Sequence, residues 1–252
     1  MKYLAALFLA LFFSAASARA QNPDINALVL KKISEMPSGG HYATTRVATI
    51  ALQSAAHFES GKFFVLPSPS SPSFCSGATY LVFLKTIEEM RRYGMLTLDG
   101  ETLMALMIRD GQPDGMGIWG RWNANGPGTA RLFHELGLGR NFTDLAQARP
   151  GDFMKIFWTG EVGKTEHGHS VVFLGTETVN GVENVRFWSS NIPAGYGAKS
   201  VPRSKIAQAI FSRLENPANL ARIKSVAERD PYLASLISVR SSFAEAKAKC
   251  GM

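Results

Sequence analysis

The sequence lacks several features that mark common protein classes. It has only two cysteines in 252 residues, so a single chain can form at most one disulfide. Its 27 lysines and arginines are spread along the chain against 20 acidic residues, with no arginine-rich block that would support nucleic-acid binding. It has no phosphate loop or dinucleotide fingerprint, because Gly115-Met116-Gly117 lacks the flanking strand and helix. We therefore expect no nucleic-acid partner and no cofactor.

The longest apolar run lies at the N-terminus. Lys2 precedes an apolar stretch over residues 4–13, and Ala18-Arg19-Ala20 resembles a cleavage site, so residues 1–20 are typical of an export signal. The run is too short to span a bilayer, and no later stretch is long enough. We expect an exported protein, periplasmic or secreted, that begins near Gln21 and has no stable membrane insertion.

Hydrophobic spacing predicts helices in the first half of the chain and strands in the second. The predicted helices cover residues 24–36, 43–58, 75–93, 101–110 and 129–136. The predicted strands cover residues 63–66, 153–158, 169–175 and 184–190, and residues 203–214 and 217–248 are predicted to be helical or mixed. Helices followed by an antiparallel sheet indicate an α+β fold.

Cys75 is the strongest candidate for a reactive residue. It lies in Phe74-Cys75-Ser76-Gly77, where a Pro/Ser-rich loop becomes the helix predicted over residues 75–93. Free backbone N–H groups and the positive end of the helix dipole favour the thiolate, which is the nucleophilic form. The backbone N–H of Cys75 could also hold an oxyanion with one further donor, Ser73 or a residue of the 119–125 stretch.

His169 is the best partner for that cysteine among the five histidines. It begins an apolar run over residues 169–175, which predicts a buried strand that fixes the imidazole against a sheet. The others lie in a turn, at a helix end, on a helix or in a loop: His41, His57, His134 and His167. We expect His169 to act as a general base, because a Cys–His pair is what a cysteine hydrolase needs.

A base histidine works better when a third group orients it. Asn180-Gly181 predicts a two-residue hairpin turn after the strand of His169. A regular hairpin places His169 opposite Ile192, with Ser190 on the same face, and a single bulge would bring Asn191 to that face instead. We choose Asn191 because its amide oxygen can accept the imidazole N–H, and Ser190 is the geometric alternative.

Residues 111–128 combine glycine, tryptophan and asparagine in a stretch that we expect to be a loop. This composition fits a binding loop and an ordinary tryptophan-anchored surface loop equally well. In the first case, Trp119, Trp122, Asn123 and Asn125 would line a substrate cleft.

Two other interpretations use the same candidate residues. His167 and His169 could chelate zinc, but no further ligands cluster nearby, so we expect no metal site. In an exported protein, Cys75 and Cys250 could form a disulfide, which would disable the nucleophile. We favour a free Cys75, because Cys250 lies in a polar, lysine-rich tail.

Three segments resemble the papain-like cell-wall cysteine hydrolases of the NlpC and CHAP superfamily. Phe74-Cys75-Ser76-Gly77 is similar to their nucleophile segment, Ala-Arg-Pro-Gly-Asp-Phe at 148–153 to a strand entry, and residues 168–175 to their histidine strand. The segments occur in the family's order. Two departures are the long spacing between Cys75 and His169 and the Phe-Trp-Ser-Ser-Asn stretch at 187–191, which replaces a third histidine often seen in NlpC-type members.

The resemblance covers residues 70–195, about half of the chain. It implies a papain-like core over residues 70–200, between helical segments at 21–69 and 201–252. It also implies that Cys75 and His169 cleave an amide bond in peptidoglycan stem peptides, or the bond that joins those peptides to the sugar. The rivals are a transglutaminase-like acyl transferase with the same pair, and a non-catalytic exported binding protein with a Cys75–Cys250 disulfide.

Overall fold

A computed structural model describes residues 24–68 and 71–252, so the predicted export signal lies outside the described residues. The helices are α1 (Ile25–Ser34), α2 (Arg46–Ala55), α3 (Cys75–Arg92), α4 (Gly100–Ala105), α5 (Gly117–Trp122), α6 (Gly128–Leu136), α7 (Pro231–Ser235) and α8 (Phe243–Lys249). The strands are β1 (Gly39–Gly40), β2 (Ala56–Glu59), β3 (Lys62–Val65), β4 (Gly139–Phe142), β5 (Phe153–Phe157), β6 (Val162–Gly163), β7 (Gly168–Val179), β8 (Val182–Asn191), β9 (Gly195–Pro202), β10 (Gln208–Leu214) and β11 (Arg240–Ser241).

A seven-stranded sheet forms the centre of the molecule. Its order is β1-β9-β8-β7-β5-β10-β4, and each neighbouring pair is antiparallel. Two small two-stranded sheets, β6 with β11 and β2 with β3, are also antiparallel. The expected combination of helices with a mostly antiparallel sheet is therefore confirmed.

Helix α3 is the main helix of the core. Leu81, Leu84, Ile87 and Met90 recur at helical spacing and are buried, so one face of the helix is continuously apolar. The helix contacts β7 and β8 of the sheet, and α1 packs against it as well. This packing brings the first residue of α3, Cys75, to the sheet region where β7 begins.

The second half of the chain is richer in strand than predicted. The 203–214 segment was expected to be helical or mixed, but it contains β10, which pairs with β5 on one side and β4 on the other. Strand β9 was not predicted, and the sheet therefore continues past the boundary expected at residue 200. A fully buried strand such as β10, where residues 210–214 are all buried, has no alternation of apolar and polar residues to reveal it.

Asp152 forms the turn into β5, as its Pro-Gly-Asp context predicts. Its backbone N–H donates to the Arg149 carbonyl at 3.0 Å, and its Oδ2 accepts the Arg149 N–H at 2.8 Å. The carboxylate is fully buried and accepts two hydrogen bonds from the Arg213 guanidinium, at 2.8 and 2.6 Å. Because both oxygens accept hydrogen bonds from Arg213 and the turn, Asp152 is structural and does not orient His169.

In the described ranges, no helix has the length and hydropathy to cross a membrane.

Candidate active site

Cys75 is the first residue of α3. The N-cap residue, Phe74, has no side-chain group to cap the helix, so the first-turn N–H groups are not consumed by a cap. Trp122 supports the same turn, because its indole N–H donates to the Ser76 carbonyl at 3.1 Å. Gly77 allows α2 to approach, since a Cβ at this position would overlap the Leu52 side chain. The helix start that carries the thiol is therefore held from two sides.

Ser190, the geometric alternative for the third residue, holds the loop that leads to Cys75. The hydroxyls of Ser73 and Ser190 are hydrogen-bonded at 2.8 Å, and Ser190 also donates to the Ser73 carbonyl at 3.0 Å. Both residues are fully buried. Ser190 thus holds the segment before Cys75, and within the described part of the chain its side chain is hydrogen-bonded to Ser73 and not to the imidazole.

His169 contacts Asn191, as chosen from the sequence. The distance from His169 Nε2 to Asn191 Oδ1 is 3.1 Å. The expected two-residue turn at Asn180-Gly181 is present, with Val179 opposite Val182, but the register shifts by one residue between Phe173 and Gly175. This bulge brings Asn191, and not Ile192, opposite His169.

The hydrogen bonds of Asn191 fix which ring nitrogen of His169 carries the proton. The Asn191 amide nitrogen donates to the carbonyls of Gly197 and Ser189, at 2.8 and 3.3 Å, and those groups can only accept. The amide oxygen therefore faces the ring and accepts from Nε2–H. Nδ1 is left unprotonated in the neutral ring and is the nitrogen that can take a proton from a thiol.

The surroundings of Cys75 favour the thiolate. Burial opposes ionisation, but a side-chain hydrogen bond to His169 and the charge of that imidazole outweigh it and lower the pKa of Cys75 to about 6. The backbone N–H of Ser170 and the ammonium of Lys155 act in the same direction. An ordinary thiol has a pKa of about 8.5, so this site holds the thiol largely ionised at neutral pH.

Tyr42 is a further polar group at the thiol. It lies in a segment bridged to Ser73, and its phenol is hydrogen-bonded to the Cys75 side chain. Burial raises the pKa of Tyr42, and the negative charge of Cys75 raises it further, so the phenol stays protonated and donates. Sequence patterns do not indicate this role, because Tyr42 lies outside any recognisable motif.

Two aromatic side chains hold the imidazole. The Trp158 ring stacks on His169 with 6.2 Å between ring centroids, and Phe187 meets it edge-on at 5.6 Å. Since stacking and edge contacts together restrict rotation of the ring, they keep His169 in the orientation that Asn191 selects.

Two cavities flank the Cys–His pair and share Gly168. The thiol-side cavity, about 180 Å³, is lined by Cys75, Ser76, Asn123, Ala124, Asn125, Lys155, Glu166, Gly168 and Ser170. The imidazole-side cavity, about 140 Å³, is lined by Tyr42, Trp158, Gly168, His169, Phe187, Asn191, Ile192 and Lys199. A larger cavity of about 420 Å³ near Arg109 contains none of the candidate residues, so volume alone does not locate the chemistry.

The 111–128 stretch is packed structure, where a loop was expected. It contains α5, and the two tryptophans predicted to line a cleft are core residues, with Trp119 2% and Trp122 1% exposed. They pack against Tyr80, at ring-centroid distances of 5.1 and 5.2 Å. A substrate cannot reach them, so that part of the prediction is wrong for Trp119 and Trp122.

The two asparagines of the same stretch do reach the site. Asn123 and Asn125 both line the thiol-side cavity, and Asn123 Oδ1 accepts the Ser76 hydroxyl at 2.6 Å. Lys155 and Glu166 line it too, and neither was singled out from the sequence. A lysine within the apolar run of β5, between Met154 and Ile156, was the available signal, because a charged residue inside such a run is unusual without a partner.

Cys250 lies apart from this site. Both cysteines are free thiols, and Cys250 packs in an apolar cluster with Phe157, Val162 and Ile210. The tail that carries it forms α8, and Cys250 is only 1% exposed. The alternative of a Cys75–Cys250 disulfide is therefore contradicted.

Among the described residues, no group of three or more His, Cys, Asp or Glu side chains is placed to hold a metal ion.

Comparisons of the chain with models of protein families, with curated proteins and with solved structures each found no match. The resemblance to the NlpC and CHAP superfamily is therefore carried by the residue motifs alone.

Proposed function

We propose that this chain is an exported cysteine hydrolase with a papain-like core that cleaves an amide bond through a thioester on Cys75. The observation that carries the proposal is the aligned set of Cys75, His169 and Asn191, in which the amide fixes the imidazole tautomer and the imidazole lowers the thiol pKa to about 6. A thiolate that is activated, oriented and open to a cleft is the requirement for nucleophilic acyl transfer.

The chemistry follows from the placement of these groups. The Cys75 thiolate attacks the amide carbonyl, and the resulting oxyanion is held by first-turn N–H groups of α3 and by the Tyr42 phenol. The protonated His169 gives its Nδ1 proton to the leaving amine as the C–N bond breaks. His169 then takes a proton from water, which attacks the thioester and releases a carboxylic acid and the free thiolate.

The substrate class that we propose is the peptide part of peptidoglycan. It is supported by the family resemblance of the three motifs and by the export signal at residues 1–20, which would deliver the protein to the periplasm or to the outside of the cell.

The test is digestion of purified peptidoglycan by the wild type and by Cys75→Ala, with fragments read by mass spectrometry. We expect wild-type digestion to release peptides that each gain one water, and Cys75→Ala to lose at least about a thousandfold in rate. Cys250→Ala is the matched control and should retain cleavage. Intact peptidoglycan with the wild type would remove this substrate, and cleavage by Cys75→Ala would remove the thiol mechanism.

A further inference from the structure

The cavity near Arg109 is separate from the Cys–His pair. Its lining comes from residues 105–112 at and after the end of α4, from the start of α5 at residues 116–117, and from the stretch 223–228. It shares no lining residue with the two cavities beside Cys75 and His169. Its volume of about 420 Å³ lies within the range of small-molecule sites, about 300–1,000 Å³. A ligand of this cavity therefore does not depend on the proposed function.

A buried arginine holds two walls of this cavity together. Arg121 is fully buried, and its guanidinium donates to the Gly117 carbonyl at 3.0 Å. The same guanidinium donates to the Ala227 and Glu228 carbonyls, at 2.7 and 3.3 Å, and its charge is paired with Glu135 at 2.7 Å. The Gly117 N–H also donates to the Glu228 carbonyl, at 3.1 Å. Because these bonds lie within the protein, the cavity is formed before any ligand binds, as small-molecule sites usually are.

Gln112 brings an acceptor without a donor to the cavity. Its amide nitrogen donates to the Met116 carbonyl, which fixes the orientation of the amide. The amide oxygen, Oε1, is buried and accepts no hydrogen bond within the described part of the chain. Buried polar atoms nearly always have a partner, and leaving one without a partner is costly. Since Gln112 lines the cavity, an N–H group of a ligand is the donor that this oxygen lacks.

Two opposite charges line the same cavity without pairing. Arg109 and Glu228 form no ion pair with each other or with any other residue that the structure describes. Asp110, in contrast, is paired with Arg46, whose Nε lies 2.8 Å or less from the carboxylate, at 2.7 Å. The apolar lining residues are Ala105, Met116, Ile223 and Ala227. Such a lining suits a ligand that has one positive group, one negative group and a small apolar part.

We propose that this cavity binds a short zwitterionic peptide. The peptide's carboxylate pairs with Arg109, its ammonium pairs with Glu228, and its amide N–H donates to Gln112 Oε1. Small apolar side chains of the peptide pack on the apolar lining. A peptide satisfies the site better than a free amino acid, because only the peptide carries an amide N–H in addition to its two charged ends.

The test is calorimetric titration of the protein with L-alanyl-L-alanine, in the Cys75→Ala form so that no peptide is consumed. Two further peptides each lack one charge: N-acetyl-alanyl-alanine has no ammonium, and alanyl-alaninamide has no carboxylate. We expect the zwitterion to bind most tightly. Each of the other two should bind about fivefold more weakly, the size of one exposed ion pair.

Substitutions in the cavity should reproduce these losses one at a time. Arg109→Met should weaken the zwitterion about fivefold and leave alanyl-alaninamide unchanged, and Glu228→Gln should do the same with the acetylated peptide as the unchanged one. Gln112→Met should weaken all three peptides alike, about fivefold, because each keeps the amide N–H. Arg149→Met and Glu183→Gln remove exposed charges outside the cavity, and these matched controls should leave all three affinities unchanged.

Three results would overturn the peptide site: no detectable binding, equal affinity for the three peptides, or affinities that Arg109→Met and Glu228→Gln leave unchanged. The titration needs no catalysis, so its outcome is independent of the hydrolase. Peptide binding together with peptidoglycan that the wild type leaves intact would keep this site and remove the proposed substrate. Cleavage of peptidoglycan without peptide binding here would do the reverse.

Discussion

Cys75 and Cys250 carry the same side chain in opposite environments. Cys75 begins a helix beside an imidazole and an ammonium, and its pKa is lowered to about 6. Cys250 follows α8 in an apolar cluster, and burial raises its pKa to about 12 despite the nearby Arg131. The two thiols therefore differ in pKa because of what surrounds each of them, an imidazole and an ammonium at Cys75 and apolar side chains at Cys250.

The surroundings of Cys250 connect the end of the chain to the sheet. The Asn141 amide of β4 donates to the carbonyls of both Ala130 and Cys250, at 2.7 and 3.0 Å. Arg131 donates to the Lys249 carbonyl at 2.7 Å. The Cys250 thiol therefore packs within a tail that is held by hydrogen bonds, whereas the Cys75 thiol lines a cavity.

The largest expected effect is that of His169→Gln, which should reduce the difference in pKa between Cys75 and Cys250. Without the imidazole, the Cys75 pKa should return to the range of an ordinary thiol, about 8.5, and the thiolate fraction at pH 6.5 should fall roughly a hundredfold. The rate of alkylation by iodoacetamide at pH 6.5 measures this fraction. His167→Gln, a change of an exposed imidazole two residues away, should leave the rate as it is. Equal rates in the two variants would show that His169 does not activate the thiol.

Substitutions of Cys250 should have an effect of intermediate size, and it should appear in the stability of the fold. Cys250→Ser places a hydroxyl in an apolar cluster without a partner, which should cost about 1–3 kcal/mol of unfolding free energy. Cys250→Ala should cost about 1 kcal/mol, because it removes only the sulfur and leaves a small cavity. Chemical denaturation of the two variants measures both values. Wild-type stability in both variants would contradict the packing role.

The smallest effect is expected from Asn191→Ala. Loss of the amide leaves the imidazole without the acceptor that fixes its tautomer, so hydrolysis should fall about tenfold. The pH profile of Cys75 alkylation should also shift toward higher pH, a change that loss of packing alone would not produce. Ser190→Ala, which removes only the bonds to Ser73, should lower the rate without moving the pH profile. A shift in Ser190→Ala and none in Asn191→Ala would reverse the two assignments.

Sequence patterns indicated the candidate pair because each residue lies at the end of a strongly marked element. Cys75 was identified from the boundary between a Pro/Ser-rich loop and a periodic helix, and His169 from the first position of an apolar strand. Asn191 was chosen on its chemistry, since the register depended on a bulge. The shift between Phe173 and Gly175 that brings Asn191 to His169 cannot be inferred from an Asn-Gly turn alone.

The errors at Trp119, Trp122 and β10 involve packing and pairing contacts that local patterns do not show. Trp119 and Trp122 were expected at a cleft because they stand among glycines, but those glycines permit close backbone packing: a Cβ at Gly120 would overlap the Pro113 carbonyl. Strand β10 has its partners, β4 and β5, more than fifty residues earlier in the chain. Local patterns carry little information about such pairings, so the tryptophans and this strand were misplaced.

The most direct test of the account is the pH dependence of iodoacetamide alkylation at both cysteines in the native, non-reduced protein, read by mass spectrometry. The structure predicts that alkylation of Cys75 rises with a midpoint near pH 6, and that Cys250 stays unmodified over the same range. A midpoint near 8.5 for Cys75, or a disulfide that joins it to Cys250, would contradict the activated thiolate on which the proposed hydrolase depends.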